Sequence, residues 1–364
     1  MKNPWLGLSS YTEESLSEHK FYGRAAAIAT LTALIRNNLF VTLYGRSGIG
    51  KTSLLQAGVF PRLRLDDMLP VTIRLNDVKD KDKPAAEVLW TKLCATLKSA
   101  GYNYTVCDDT DVYVPDFEDV MVFRMLFSAG RFLDDNGKET YPVIVLDQFE
   151  EIFYKAPEAA RLLVTQLYAL IDDNYNIQIS HPTWHDDTNF RLVVSIREDD
   201  LYLFEDCIDT FNCADFKSNR FRLTAMSEAE AREVILEPCR EMFQAGQENE
   251  VAEGIISLCR TNGQNINTLM LSLTCYMLFE NSIPQNLRVS VDDLKKYSDS
   301  IETYYEATIK DLPKEERYYL EDSLVDYQGR RTSVYVADLE RRAPKAKEMI
   351  DNGDRRLLNL SQGR

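Results

Sequence analysis

No apolar run in these 364 residues approaches the ~20 that a membrane-spanning helix needs. The longest candidate, Leu269 to Phe279, is interrupted by Ser272 and Thr274 and suits a buried helix. Residues 1–10 lack the apolar core of a signal peptide, so a cytoplasmic protein is expected. The seven cysteines (94, 107, 207, 213, 239, 259 and 275) form no CxxC pair and are odd in number. That argues against a disulfide framework and for reduced, mostly buried thiols. Histidine occurs three times, at 19, 181 and 185. His181 and His185 have the i, i+4 spacing of a metal pair, but Pro182 argues against an intact helix there, and two ligands make no structural zinc site. Positive charge is also short. The net charge is −16, and because residues 1–60 carry six Lys/Arg against three Asp/Glu, −19 falls on residues 61–364. That acidic remainder argues against nucleic acid as the main partner. No repeat and no low-complexity segment is present.

Against these absences stands one dense motif. Phe40-Val-Thr-Leu-Tyr is a buried apolar strand, Gly45-Arg-Ser-Gly-Ile-Gly-Lys-Thr52 is a full G-x-x-x-x-G-K-T, and Ser53-Leu-Leu opens a helix. Strand, loop and helix in this order are the context a phosphate-binding P-loop requires. Gly45, Gly48 and Gly50 let the backbone curl so that the N–H groups of Ser47 through Ser53, Ile49 included, face an anion. The helix adds its positive N-terminal end. Lys51 can reach the β- and γ-phosphates, and the Thr52 hydroxyl can hold Mg²⁺, which prefers oxygen. The chain is expected to bind a nucleoside triphosphate. No N/T-K-x-D sequence follows at a suitable place to read guanine, so ATP and ADP are the expected ligands.

Around this motif the sequence alternates. A helix is expected over Arg24 to Asn38, then the P-loop strand and a helix stopped near Pro61. A second strand follows at Pro70 to Leu75 and a helix at 85–100. Residues 102–119, rich in Asp, Tyr and Pro, read as a surface loop or insertion. A helix over 120–133 leads to Pro142-Val-Ile-Val-Leu-Asp147, whose consecutive aliphatics fit a central parallel strand buried on both faces. A helix over 158–172, a polar loop (174–189), a buried strand at Arg191 to Arg197 and a short one at Phe221 to Thr224 complete the pattern. Strands alternating with helices indicate an α/β fold with a three-layer parallel sheet. From Ser227 the pattern is helical. Ser227-Glu-Ala-Glu230 is a capping box, Pro238 ends or kinks its helix, and further helices are expected over 249–261, 266–280, 291–310 and 313–325. Gly329 to Val336 reads as a possible β-wing. The expected division is a lead-in and adenine-side helix (1–38), a P-loop domain (39–225), a helical domain (226–298) and an incomplete winged helix (299–364).

Asp147 ends its strand where P-loop NTPases keep the acid that holds Mg²⁺ through its shell. The next residue, Gln148, stands where many ATPases place a water-activating carboxylate. Glu150 and Glu151 follow closely enough for either to serve as base, or both are a charged first turn on a helix. Arg197 lies at the C-terminal end of a buried strand, the ligand side of an open α/β sheet, where it can contact a γ-phosphate or pair with Glu198 or Asp199.

Five stretches then occur in order: Asn3-Pro-Trp-Leu-Gly-Leu, Phe21-Tyr-Gly-Arg24, Gly45 through Arg62, Val145-Leu-Asp-Gln-Phe-Glu-Glu-Ile-Phe153 and Val193-Val-Ser-Ile-Arg197. Together they resemble the NTPase module of STAND ATPases, in particular the bacterial novel STAND type, over nearly the whole chain. The resemblance implies that Tyr22, Gly23 and Arg24 line the adenine site and that Arg197 senses the γ-phosphate. It implies sheet order 5-1-4-3-2, then a helical domain and a winged helix. It also implies a slowly hydrolysing switch, closed with ADP and opened by ATP and a trigger for oligomerisation, with roles in signalling or antiphage defence. Effector and sensor domains are expected in a longer protein or in trans, with no direct role for nucleic acid or membrane. In the family a winged-helix histidine usually contacts phosphate, and none of His19, His181 and His185 lies late enough to match it. Two other readings stay open: a P-loop kinase or ATPase with another substrate, and a scaffold that holds nucleotide without hydrolysis.

Overall fold

The computed structural model describes residues 2–79, 83–106, 114–172, 189–208, 217–261, 265–285, 287–297, 309–324 and 334–351. Cys107, Cys213, His181, His185, most of the 174–189 loop, the second half of the helix expected over 291–310 and the tail from 352 lie outside these residues. The chain divides into two compact units.

The first unit, residues 11–17 and 24–225, is the α/β part. Its sheet has five parallel strands: β1 (Phe40–Gly45), β2 (Met68–Ile73), β3 (Tyr141–Asp147), β4 (Arg191–Arg197) and β5 (Arg220–Arg222), in the order β2-β3-β4-β1-β5. Counted from the opposite edge this is 5-1-4-3-2. The continuous aliphatic runs follow from burial on both faces. Ile144 and Leu146 of β3, with Leu192, Val194 and Ile196 of β4, pack into one cluster with Leu89, Leu93, Leu163 and Leu167 of the helices Ala85–Ser99 and Pro157–Ile171. The alternate residues Val41, Leu43, Val143, Val145 and Val193 are equally buried and outside that cluster.

Two local expectations change. The helix after the phosphate loop does not stop near Pro61. It widens to a π-helical turn over Leu54–Val59 and runs on to Arg64, the wide turn accommodating a residue that has no N–H to donate. The stretch expected as loop at 102–119 begins with a strand, Asn103–Val106, antiparallel to Gly130–Leu133, and the latter shortens the expected 120–133 helix to Val122–Ala129. Aromatic packing explains the hairpin: Tyr104 sits edge-on to Trp90 at 5.1 Å and beside Phe132 at 5.4 Å.

The second unit comprises residues 1–10, 18–23 and 226 onward, so the lead-in expected as one piece over 1–38 is split. Trp5 is buried in its core, donates its indole N–H to the Val234 carbonyl at 3.0 Å, and meets Phe279 edge-on. The capping box forms as expected on Glu228–Leu236, which ends before Pro238. The apolar run 269–279 lies in the helix Thr268–Ser282, its N-terminus capped by Asn267. Gly23 has φ 75, and a Cβ there would stand 2.7 Å from the Glu230 carbonyl oxygen, so only glycine fits. Ile309, Leu312, Leu320, Leu339 and Ala343 form a small core of their own. The wing expected over 329–336 falls outside the described residues up to 333, and Val336 already begins a helix. Among the described residues no helix is long and apolar enough to cross a membrane.

Candidate functional site

The phosphate loop leaves β1 at Gly45 and enters the helix at Lys51. Gly48 (φ 72) and Gly50 (φ 98) take left-handed conformations that side chains rarely adopt, and these turn the loop back over the helix N-terminus. Ser47 and Gly48 are exposed, whereas Ile49 is buried beneath the loop. Lys51 donates to the carbonyls of Gly45 (2.8 Å) and Arg46 (3.3 Å). Burial lowers its affinity for a proton, while Glu150 and Asp147 pull the other way.

Parallel pairing sets the rest of the site. In register, Gly45 of β1 lies beside Arg197 of β4, and Ser195 of β4 beside Asp147 of β3, so all four are at the C-terminal ends of adjacent strands. Asp147 is nearly fully buried. The Thr52 hydroxyl lies 3.2 Å from its Oδ2, and Ser195 donates to Oδ1 at 3.2 Å. Arg74, just past the end of β2, donates to Oδ2 from Nη2 at 2.8 Å and from Nε at 3.2 Å. Thr52 and Asp147, two hard oxygen donors brought together from distant positions, fit the chemistry magnesium asks of a protein.

Gln148 has φ 57, and this left-handed residue turns the chain so that Phe149 N–H donates to the Ser195 carbonyl at 3.0 Å. The turn brings Glu150 back under the site, where its Oε2 accepts from the Arg197 backbone N–H at 3.2 Å. Burial raises the Glu150 carboxyl to about 7, against the opposing pull of Lys51. Glu151, the alternative base, turns away and accepts from Lys155 at 3.2 Å, and that lysine also donates to the Asn76 carbonyl. Of the two carboxylates only Glu150 belongs to the cluster around Lys51. Arg197 points its guanidinium toward Asp200 (3.6 Å) and Asp199 (3.8 Å), and among the described residues its buried Nε has no hydrogen-bond partner. Asp200 Oδ1 accepts from the Tyr154 hydroxyl at 2.5 Å.

The remaining expected residues are placed differently. Arg24 is buried and donates to the Thr224 carbonyl (3.0 Å) and the Ile49 carbonyl (3.3 Å), tying the phosphate loop to the segment after β5. The Ser53 hydroxyl accepts from Tyr11 N–H at 3.1 Å. Tyr22 and Gly23 belong to the helical unit. Sequence reasoning missed Arg74 and gave Ser195 no role. Both had the same signal available, a polar residue at or next to the C-terminal end of an aliphatic strand.

A glycine-rich loop between the first strand of a parallel sheet and a helix, with a lysine, a threonine and a strand-end aspartate converging beside it, defines a P-loop NTPase. The sequence model of the family described as Novel STAND NTPase 1 matches residues 4–363, and the chain belongs to that family. No curated protein matches. Solved structures of similar fold include the Walker-type ATPase PABY2304 of Pyrococcus abyssi (14% identity, TM-score 0.49, 93% of this chain and 80% of that one). Others are the Aeropyrum pernix ORC2 protein in its ADP form (13%, 0.47, 92% and 87%) and the Aeropyrum pernix ORC1 protein in complex with DNA (13%, 0.46, 94% and 80%).

Proposed function

We propose that this chain is a slowly hydrolysing ATP switch, holding ADP in a closed form and self-associating when ATP replaces it. The observation that carries the reading is the convergence of Lys51, Thr52, Asp147, Glu150 and Arg197 on one end of one sheet. The loop N–H groups from Ser47 to Ser53 and the Lys51 amine receive the β- and γ-phosphates, and Arg24 keeps the loop in shape by holding its Ile49 carbonyl. Thr52 and Asp147 would hold magnesium, which when bound would supply positive charge against the phosphates. Glu150, poised near neutrality, takes the proton of the attacking water, and Arg197 contacts the γ-phosphate. Slow turnover fits a base that is only partly ionised at pH 7 and partly committed to the Arg197 backbone.

A switch of this kind works in bacterial signalling or antiphage defence, through an effector and a sensor on the same chain or in trans. Nucleotide and further copies of itself are its partners, without direct contact to nucleic acid or membrane. The test joins three measurements on the purified chain: calorimetric ATP and ADP binding with Mg²⁺, phosphate release, and mass by light scattering with each nucleotide. Expected are tight binding of both, turnover well below one per second, and a larger particle with a non-hydrolysable ATP analogue than with ADP. A particle of the same mass with either nucleotide overturns the switch, and absence of binding overturns the site.

A further inference from the structure

We propose that Arg74 is a built-in counter-cation of the Asp147 carboxylate which magnesium has to displace, so that Arg74 sets how much magnesium the site requires. The inference rests on the nucleotide-site reading above and assigns a residue which that reading does not use.

Asp147 is nearly removed from water and receives three side chains. Two of them, Thr52 and Ser195, are neutral hydroxyls. Arg74 is the cation that touches it among the described residues, with Nη2 and Nε both on Oδ2. Lys51 acts on Asp147 only across space, since its amine donates to the Gly45 and Arg46 carbonyls. The negative charge that magnesium would use is therefore already matched by a guanidinium, on an oxygen that Thr52 also approaches. Without nucleotide phosphates, one buried carboxylate cannot offset both cations, and their repulsion is strong where water is scarce.

The surroundings allow the exchange. The backbone of Arg74 is fixed, because Lys92 donates to its carbonyl at 2.7 Å and to Asp77 Oδ1 at 2.7 Å. Its side chain is 35% exposed, against 2% for Asp147. The guanidinium can therefore swing to water while the main chain stays in place, as a long flexible stem permits. With magnesium absent, Arg74 keeps the buried carboxylate paired and spares the nucleotide-free fold an isolated charge. With magnesium present, each ion that binds must first break this pair.

The experiment titrates magnesium against binding of a fluorescent ADP analogue to the full chain, for wild type, Arg74→Gln, Arg74→Ala and Arg74→Lys. Each protein is first checked for cooperative melting. The half-saturating magnesium concentration should fall about tenfold in the two neutral variants and stay within about twofold of wild type in Arg74→Lys, which retains the charge. A second arm uses Mn²⁺ alone, followed by the loss of its free-ion spin resonance, and should show the same ordering without nucleotide. A magnesium midpoint that is unchanged or raised in folded Arg74→Gln overturns the proposal. Failure of both neutral variants to fold also overturns it, because a fold that cannot survive without the pair cannot release it to magnesium. If wild type binds no nucleotide, the switch reading falls, and the Mn²⁺ arm still decides on Arg74.

Discussion

Glu150 carries the clearest consequence of burial on a single group. Its carboxyl is raised from 4.5 to about 7, chiefly by desolvation, so the folded chain binds a proton that the unfolded chain has released across that interval. Stability contributed by the protonated form is complete below pH 4.5 and is lost as pH rises through about 7, on the order of 3 kcal/mol in total. Glu150→Gln keeps an acceptor for the Arg197 N–H without the charge. It should therefore melt higher than wild type at pH 8 and at the same temperature near pH 4.5, measured by calorimetry without nucleotide. Equal melting at both pH values would mean the carboxyl is not perturbed. The same variant should lose about 10²- to 10⁴-fold in phosphate release while still binding ATP, and wild-type turnover at limiting ATP should rise with pH around 7. Arg197 makes a prediction of a different kind. Among the described residues its buried Nε has no hydrogen-bond partner, and its ion pairs with Asp200 and Asp199 are long, 3.6 and 3.8 Å, so a phosphate has only these loose contacts to outcompete. Arg197→Ala should weaken ATP about 10- to 100-fold in competition with a fluorescent analogue and leave ADP within about twofold. Equal losses for both would make Arg197 a structural residue.

At the scale of elements, the lead-in shows how a short irregular segment earns a fixed place. Residues 2–10 form no helix or strand, yet Trp5 fills the core of the helical unit and Asn3 donates to the Tyr276 carbonyl and to Glu280. Burying a large aromatic ring with its N–H satisfied contributes several kcal/mol. Trp5→Ala should destabilise the helical unit by about 3–5 kcal/mol. Hydrogen exchange should report it as lost protection in Glu228–Leu236 and Thr268–Ser282, the two helices that Trp5 touches through Val234 and Phe279. Unchanged protection there would mean that the segment is only laid against the surface. In the α/β unit the π-helical turn after the phosphate loop is the corresponding device. It lets the helix continue past Pro61 and bury Phe60 and Leu63.

For the molecule as a whole, nucleotide is the expected source of much of its stability. A ligand that binds the folded chain at one hundred times its dissociation constant adds about 2.7 kcal/mol. ADP with Mg²⁺ should therefore raise the melting temperature of wild type by several degrees and leave Lys51→Ala unmoved. Lys51 is the loop cation placed to offset the β- and γ-phosphate charge, and partial burial already lowers its affinity for a proton. A thermal shift of the same size in both proteins would place the nucleotide elsewhere. The P-loop lies in a net-positive stretch, residues 1–60, of a chain whose net charge is −16, a balance that favours an anionic ligand there.

The sequence alone determined what depends on local order. Gly45 to Thr52 dictate a phosphate loop because a left-handed turn followed by a helix start is written in adjacent residues. The aliphatic runs 143–146 and 192–194 dictate doubly covered parallel strands because their residues are apolar without alternation. The capping box at Ser227 likewise needs only four residues. Tertiary structure decided whatever depends on neighbours distant in sequence. Nothing in Glu150-Glu151 says which carboxylate is buried. The left-handed Gln148 and the pairing of β3 with β4 turn Glu150 under Lys51 and leave Glu151 to Lys155. Nothing at Arg74 names a partner 73 residues away, and parallel β2–β3 pairing brings the two together. Trp5 finds Val234 and Phe279 only once the helices are packed. Backbone conformation is governed by short-range sterics and hydrogen bonds, whereas side-chain charge and burial are set by whatever the fold places beside them.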